Sequence, residues 1–149
     1  MARAEPAPPA AAARLTGHHH VALSVSDLGA ALRFYTWVLD MEELFSETAP
    51  DRSAAVLRFG GGPISVGLVE HAGSARHRFD PAVTGLDHLA FAVASREELA
   101  AWASRLDEAG VEHSGPIEVP PGEILNFKDP DGIALALFWD RPGAAPAPG

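Results

Sequence analysis

Gly17-His18-His19-His20-Val21-Ala22-Leu23-Ser24-Val25 decides how the chain is read, because Gly85-Leu86-Asp87-His88-Leu89-Ala90-Phe91-Ala92-Val93 repeats its pattern. Setting His20 on His88 gives an offset of 68 (88 − 20), which also puts Leu23 on Phe91, Val25 on Val93 and Phe34 on Trp102. In each copy a histidine leads into a period-two alternation, the signature of a half-buried strand. Val21, Leu23 and Val25 share one face with Leu89, Phe91 and Val93 as their counterparts. His20, Ala22 and Ser24, or His88, Ala90 and Ala92, take the other.

Working outward, each strand meets a helix start. Ser26-Asp27 offers an N-cap, and Leu28, Ala31, Leu32, Tyr35 and Leu39 recur at helical spacing. In the second copy Ser95-Arg96-Glu97-Glu98 reads as a capping box, Leu99, Trp102, Ala103 and Leu106 form an apolar stripe, and Gly110 ends the helix. Strand-like segments follow at Ala54 to Phe59 and Ile64 to Val69, then at Ile124 to Phe127 and Ile133 to Trp139. Weaker ones lie near Leu44-Phe45 and Val111 to His113. Turns at Gly60-Gly61-Gly62-Pro63 and Asp129-Pro130-Asp131-Gly132 lead into the last strand of each half. The chain therefore reads as α+β, two βαβββ modules at about residues 17-70 and 85-139, within a single domain over 17-141.

Composition bounds the partners. The chain has 149 residues, 20 acidic against 11 basic side chains and a net charge of -9, so its field repels phosphate backbones and anionic lipid surfaces. Nucleic acid and membrane are therefore not expected partners. The absence of cysteine removes disulfides, thiolate metal ligands and cysteine nucleophiles. Residues 1-16, rich in alanine and proline, and 142-149, rich in glycine, alanine and proline, read as disordered arms, and the cytoplasm is the default location.

The strand His20-Val21-Ala22-Leu23-Ser24-Val25-Ser26-Asp27-Leu28 with Phe34-Tyr35 and Leu39, the strand Gly85 to Val93, and Phe127-Lys128-Asp129-Pro130-Asp131-Gly132 together resemble the vicinal oxygen chelate superfamily of glyoxalases, bleomycin-resistance proteins and extradiol dioxygenases. The resemblance implies paired βαβββ modules whose sheets form a shared cup. It also implies a homodimer that completes its clefts between copies. In metal-dependent members the cup holds a divalent ion (Fe, Mn, Zn or Ni) that two neighbouring substrate oxygens chelate. The ligand positions on the first strands match here as His20 and His88. Those on the last strands fall on Gly67 and Ala136, so the usual carboxylates are absent.

Two imidazoles without a carboxylate make a weak site, which leaves His71, of the same parity as Gly67, and Glu123, in the Pro120 to Glu123 loop, as candidates to complete it. His18 and His19 read as an exposed run at the strand start, and Asp129 and Asp131 as turn residues rather than ligands. Alternate positions Ala22 and Ser24, Ser65 and Gly67, Ala90 and Ala92, and Ala134 and Ala136 are small, leaving room for an apolar or aromatic ligand with Phe138 at one end. Phe59, Phe127 and Trp139 are candidate ligand contacts, whereas Trp102 reads as core.

Three functions follow. The first is a lyase, isomerase or dioxygenase in which a metal on His20 and His88 acts as Lewis acid. The second is a metal-free binding protein of the bleomycin-resistance kind, sequestering an antibiotic or metabolite. The third is a metal-free enzyme with His20 or His88 as general base.

Overall fold

The computed structural model describes residues 14–73 and 77–144; the remainder of both arms expected at the termini lies outside the described residues. The first module runs β1 (Val21–Ser24), α1 (Leu28–Arg33), β2 (Glu42–Ala49), β3 (Arg52–Arg58) and β4 (Ile64–His71). The second runs β5 (Leu89–Ala92), α2 (Arg96–Glu108), β6 (His113–Val119), β7 (Gly122–Lys128) and β8 (Ala134–Asp140). Two four-stranded mixed sheets result, ordered β1-β4-β3-β2 and β5-β8-β7-β6, each with its first strand at one edge, parallel to its neighbour, and the other pairs antiparallel. The fold is α+β, two βαβββ modules, as in the paired modules of a cup.

The strand alternation sets the two faces of each sheet. Leu23, Val25, Leu57, Val66 and Leu68 from the first module join Phe91, Leu125, Phe127, Leu135 and Leu137 from the second in one buried cluster with residues of both helices. Ala22, Ser24, Ala90 and Ala92 on the opposite faces are exposed. The helix side of both modules is thus a common core, and the small-residue side of each is an open wall. Removing apolar area from water at roughly 25 cal/mol per Å² makes that core the main stabilising term.

The two helices differ in regularity. Helix α2 keeps its expected start: Ser95 Oγ accepts from the Glu98 N–H at 3.1 Å, and the Glu98 carboxylate reaches back to the Ala94 N–H at 3.0 Å. Helix α1 begins with Asp27 accepting from the Ala30 N–H at 2.8 Å, but after Arg33 it widens into a π-helical turn, Phe34–Val38. The Leu39 N–H accordingly bonds the Phe34 carbonyl five residues back. This widening lets the neighbours Phe34 and Tyr35 both face the core.

Several boundaries depart from the sequence reading. β2 is eight residues long rather than a short segment near Leu44, because its ladder to β3 extends from Glu42 to Ala49. β6 starts at His113 and accommodates Pro116, which an edge strand permits since no neighbour needs its missing N–H. Residues Gly122 and Glu123, read as loop, begin β7, with Gly122 paired to Val119 and Asp140.

Candidate ligand-binding site

Register places the candidate residues row by row. On the open face of the first sheet, Ala22 lies beside Gly67, and Gly67 beside Val56 and then Phe45. On the second, Ala90 lies beside Ala136, and Ala136 beside Asn126. Gly67 and Ala136 thus occupy equivalent places. A Cβ at Gly67 would touch the Ala22 Cβ at 3.4 Å, an ordinary contact.

His20 lines a hollow on the first sheet with Ala22, Phe45, Glu47, Ala54, Val56, Gly67 and Val69. His88 lines a different one on the second sheet, with Asn126, Lys128 and Ala134. His88 Nδ1 and Asp87 Oδ1 lie 2.6 Å apart, and His20 Nδ1 lies 2.7 Å from His19 Nδ1. Phe138 sits on the open face in the row of Ala92 and Ile124. Phe59, 41% exposed, packs edge-on against Phe91 at 5.3 Å and borders a third hollow with Ala90 and Ala92.

Four candidates lie elsewhere than the sequence reading put them. Glu123 stands opposite Trp139 in the ladder, and both face α2: Arg96 pairs with the Glu123 carboxylate at 2.7 Å and stacks 5.3 Å above the Trp139 ring. Neither points into the cup. Phe127 has the parity of Leu125 and is buried beside Phe34, with ring centroids 6.4 Å apart. His71 lies at the far end of β4; His20 is level with Ser65, and the six residues between 65 and 71 span about 20 Å at a strand's rise. It cannot join His20 within the chain.

A divalent metal is the group the fold implies, and the donor set does not fit it. The carboxylate positions are Gly67 and Ala136, and among the described residues of one chain no three His, Asp or Glu side chains gather closely enough to hold an ion. Two neutral imidazoles leave the charge of a dication uncompensated.

Sequence reading missed the polar link between modules. Tyr35 Oη donates to Asp129 Oδ2 at 3.1 Å, while Asp129 Oδ1 accepts from the Asp131 and Ile133 N–H groups at 2.9 and 2.8 Å. Asp131 in turn accepts from the Ser26 N–H at 2.9 Å and from its hydroxyl. Burial pushes the Asp129 carboxyl above the ordinary carboxylate range despite these donors, and burial with the Asp129 charge pushes the Tyr35 phenol up. Arg105 adds a third tie, donating to the Trp37 and Val38 carbonyls at 2.7 and 2.8 Å. Asn126 and Lys128 were also missed as site residues, although their alternation with buried Leu125 and Phe127 marks them as facing the open side.

Paired βαβββ modules, open small-residue sheet faces and a histidine at the head of each first strand define a vicinal-oxygen-chelate fold. A model of the Glyoxalase/Bleomycin resistance protein/Dioxygenase superfamily matches residues 17–137, and the chain belongs to that superfamily. A glyoxylase/bleomycin resistance protein/dioxygenase domain from Frankia sp. EAN1pec superposes with a TM-score of 0.81 at 39% identity, covering 86% of this chain and 100% of that one. A putative ring-cleaving dioxygenase, MhqA, of Bacillus subtilis is 30% identical over 126 residues, 83% of this chain and 39% of its own length. Catechol-2,3-dioxygenase of the same organism is 30% identical over 125 residues, 80% of this chain and 40% of its own length. The chain thus spans about 40% of the length of these curated relatives. A fosfomycin resistance protein, FosX, from Listeria monocytogenes shares the fold at 22% identity and a TM-score of 0.67, covering 86% of this chain and 94% of that one. No helix among the described residues is long and apolar enough to cross a membrane.

Proposed function

We propose that this chain is a small-molecule-binding member of the superfamily whose cup, completed between two copies in a homodimer, holds an apolar or aromatic ligand without a resident metal. One observation carries the reading: Ala136 stands beside Ala90 and Asn126 where a ligand carboxylate would complete the histidine pair. The open faces support it, since alanine and glycine on the central strands leave volume that a ligand can fill. Phe45 at 54% and Ile117 at 43% exposure are apolar side chains on those walls that a second copy would cover.

The test is ligand capture by a panel of aromatic and antibiotic-like compounds before and after dialysis against EDTA, with sedimentation alongside. Unchanged affinity in a dimer supports the reading. Affinity lost with chelation and regained with Mn²⁺, Fe²⁺, Ni²⁺ or Zn²⁺ would overturn it.

The Asp87-His88 contact favours a second reading, a metal-free enzyme in which Asp87 orients the His88 imidazole and leaves its Nε2 free to act as general base. The dioxygenase names of the Bacillus subtilis relatives lean toward catalysis. Turnover abolished by His88→Ala with ligand affinity retained would separate this reading from simple binding.

A further inference from the structure

The second sheet's open face carries cations without acidic partners among the described residues, whereas the Arg52 of its counterpart's hollow pairs with Glu47. At the His88 end the register gives a row of His88, Ala134 and Lys128, and the next row is Ala90, Ala136 and Asn126. Lys128, the only lysine of the chain, therefore stands directly across from Ala134, one strand spacing of roughly 5 Å away, and diagonal to Ala136 at roughly 7–8 Å. Arg78 reaches the same hollow from the linker between modules, and its position is built in. The Phe79 N–H bonds the Asp131 carbonyl at 3.0 Å, and the Arg78 guanidinium is seated against Gly132, where a Cβ would lie 3.1 Å from it. Gly132 has φ of +79°, so glycine serves both the turn and this close approach.

The hollow encloses about 490 Å³ and its charged or titratable lining is Arg78, His88, Glu112, His113 and Lys128. His113 is held by Asp107 at 3.0 Å and His88 by Asp87. Among the described residues, the ion pairs of the chain involve neither Arg78 nor Lys128. Arg78 and Lys128 are thus two cations of the lining left open to a ligand, while the nearby Asp87 and Asp107 carboxylates are engaged with His88 and His113.

We propose that this hollow recognises a small organic anion, an aromatic carboxylate in class, with Lys128 and Arg78 holding the charged group, Asn126 adding a hydrogen bond, and the ring lying against Val111 and Ala134. The assignment rests on reading the open face as the ligand cup and specifies what that cup selects. Where a metal-dependent cup would place an anionic side chain to hold a cation, this hollow presents two cations beside Ala134, which suits an anionic ligand.

The experiment uses benzoate, with neutral benzamide as isostere, on the full chain. Reductive ¹³C-methylation keeps the Lys128 charge and yields one lysine signal, told apart from that of the amino terminus by its absence in Lys128→Met. Amide signals of Val111 and Ala134 report on the hollow itself. Benzoate is expected to shift the Lys128 signal saturably and to bind about tenfold more tightly than benzamide, and Arg78→Gln and Lys128→Met each to remove about tenfold from benzoate alone. Equal binding of the two compounds, with Val111 and Ala134 responding and Lys128 silent, would overturn the anion assignment and leave the cup reading standing. Silence at all three positions with both compounds would overturn both.

Discussion

The two modules share one topology and differ in what their helices do. Helix α2 runs 13 residues from a capping box and packs on its own sheet, whereas α1 lasts six residues before its π-helical turn brings Tyr35 to Asp129 of the other module. A duplicated sequence has thus kept its regular helix in one half and made the other half into a connector. The open faces differ in the same way: the first sheet pairs its hollow's Arg52 with Glu47 at 3.6 Å, while the second leaves Lys128 and Arg78 without acidic partners among the described residues. The lesson is that the repeat preserves backbone register while side chains divide the labour, with the buried Tyr35-Asp129 link supplied by the first helix and cations without acidic partners, among the described residues, on the second sheet.

The comparison can be broken most severely at the hairpins. β3 begins with Arg52 and tolerates a long side chain, but β7 begins with Gly122, where a Cβ would lie 1.8 Å from the Trp139 carbonyl oxygen. Backbone atoms cannot yield as a flexible side chain can, so Gly122→Ala is expected to cost about 3 kcal/mol or more, read by thermal unfolding. A loss below about 1 kcal/mol would mean that the second module's hairpin is as permissive as the first's.

Next in size is the connector. Tyr35→Phe removes the one phenolic donor to a buried carboxyl and is expected to cost about 2 kcal/mol in chemical denaturation, with little change in the cap of α1. Asp129→Asn sharpens the same point through pH. Burial raises the Asp129 pKa in the folded chain, so between the ordinary carboxylate range and that raised value the folded state binds more protons than the unfolded one. The stability Asp129 contributes is therefore fully present below its unfolded pKa and declines as pH rises through the folded value. Asp129→Asn should flatten that decline, and an unchanged slope between pH 4 and 7 would show that Asp129 is not its source.

The fold was legible because its evidence is local. His20 and His88 head strands whose alternation survives in both copies, and Ser95 with Glu98 forms a cap that tertiary contacts had no reason to alter. The π-helical turn was not legible, since Phe34 and Tyr35 are compatible with an ordinary helix and only the distant Asp129 gives the widened turn its purpose. Glu123 was misplaced because Pro120-Pro121-Gly122 looks like a long loop, whereas the ladder closes between Val119 and Gly122 and puts Glu123 on a strand. Trp139 and Phe127 were assigned against their own parity: Ala136 and Phe138 face the cup, so Trp139 turns to Arg96, and Phe127 follows Leu125 inward. Arg78 escaped notice because a linker residue has no periodicity to place it.

The claim that the cup works without a resident metal is tested most directly by elemental analysis of the untagged protein beside Ala136→Glu, which returns a carboxylate to the row of Ala90 and Asn126. The account predicts well under about a tenth of an equivalent of transition metal in the native protein and substantial uptake in the variant, because affinity grows with ligand number and charge. About one equivalent in the native protein, lost in a His20→Ala, His88→Ala double variant, would contradict it.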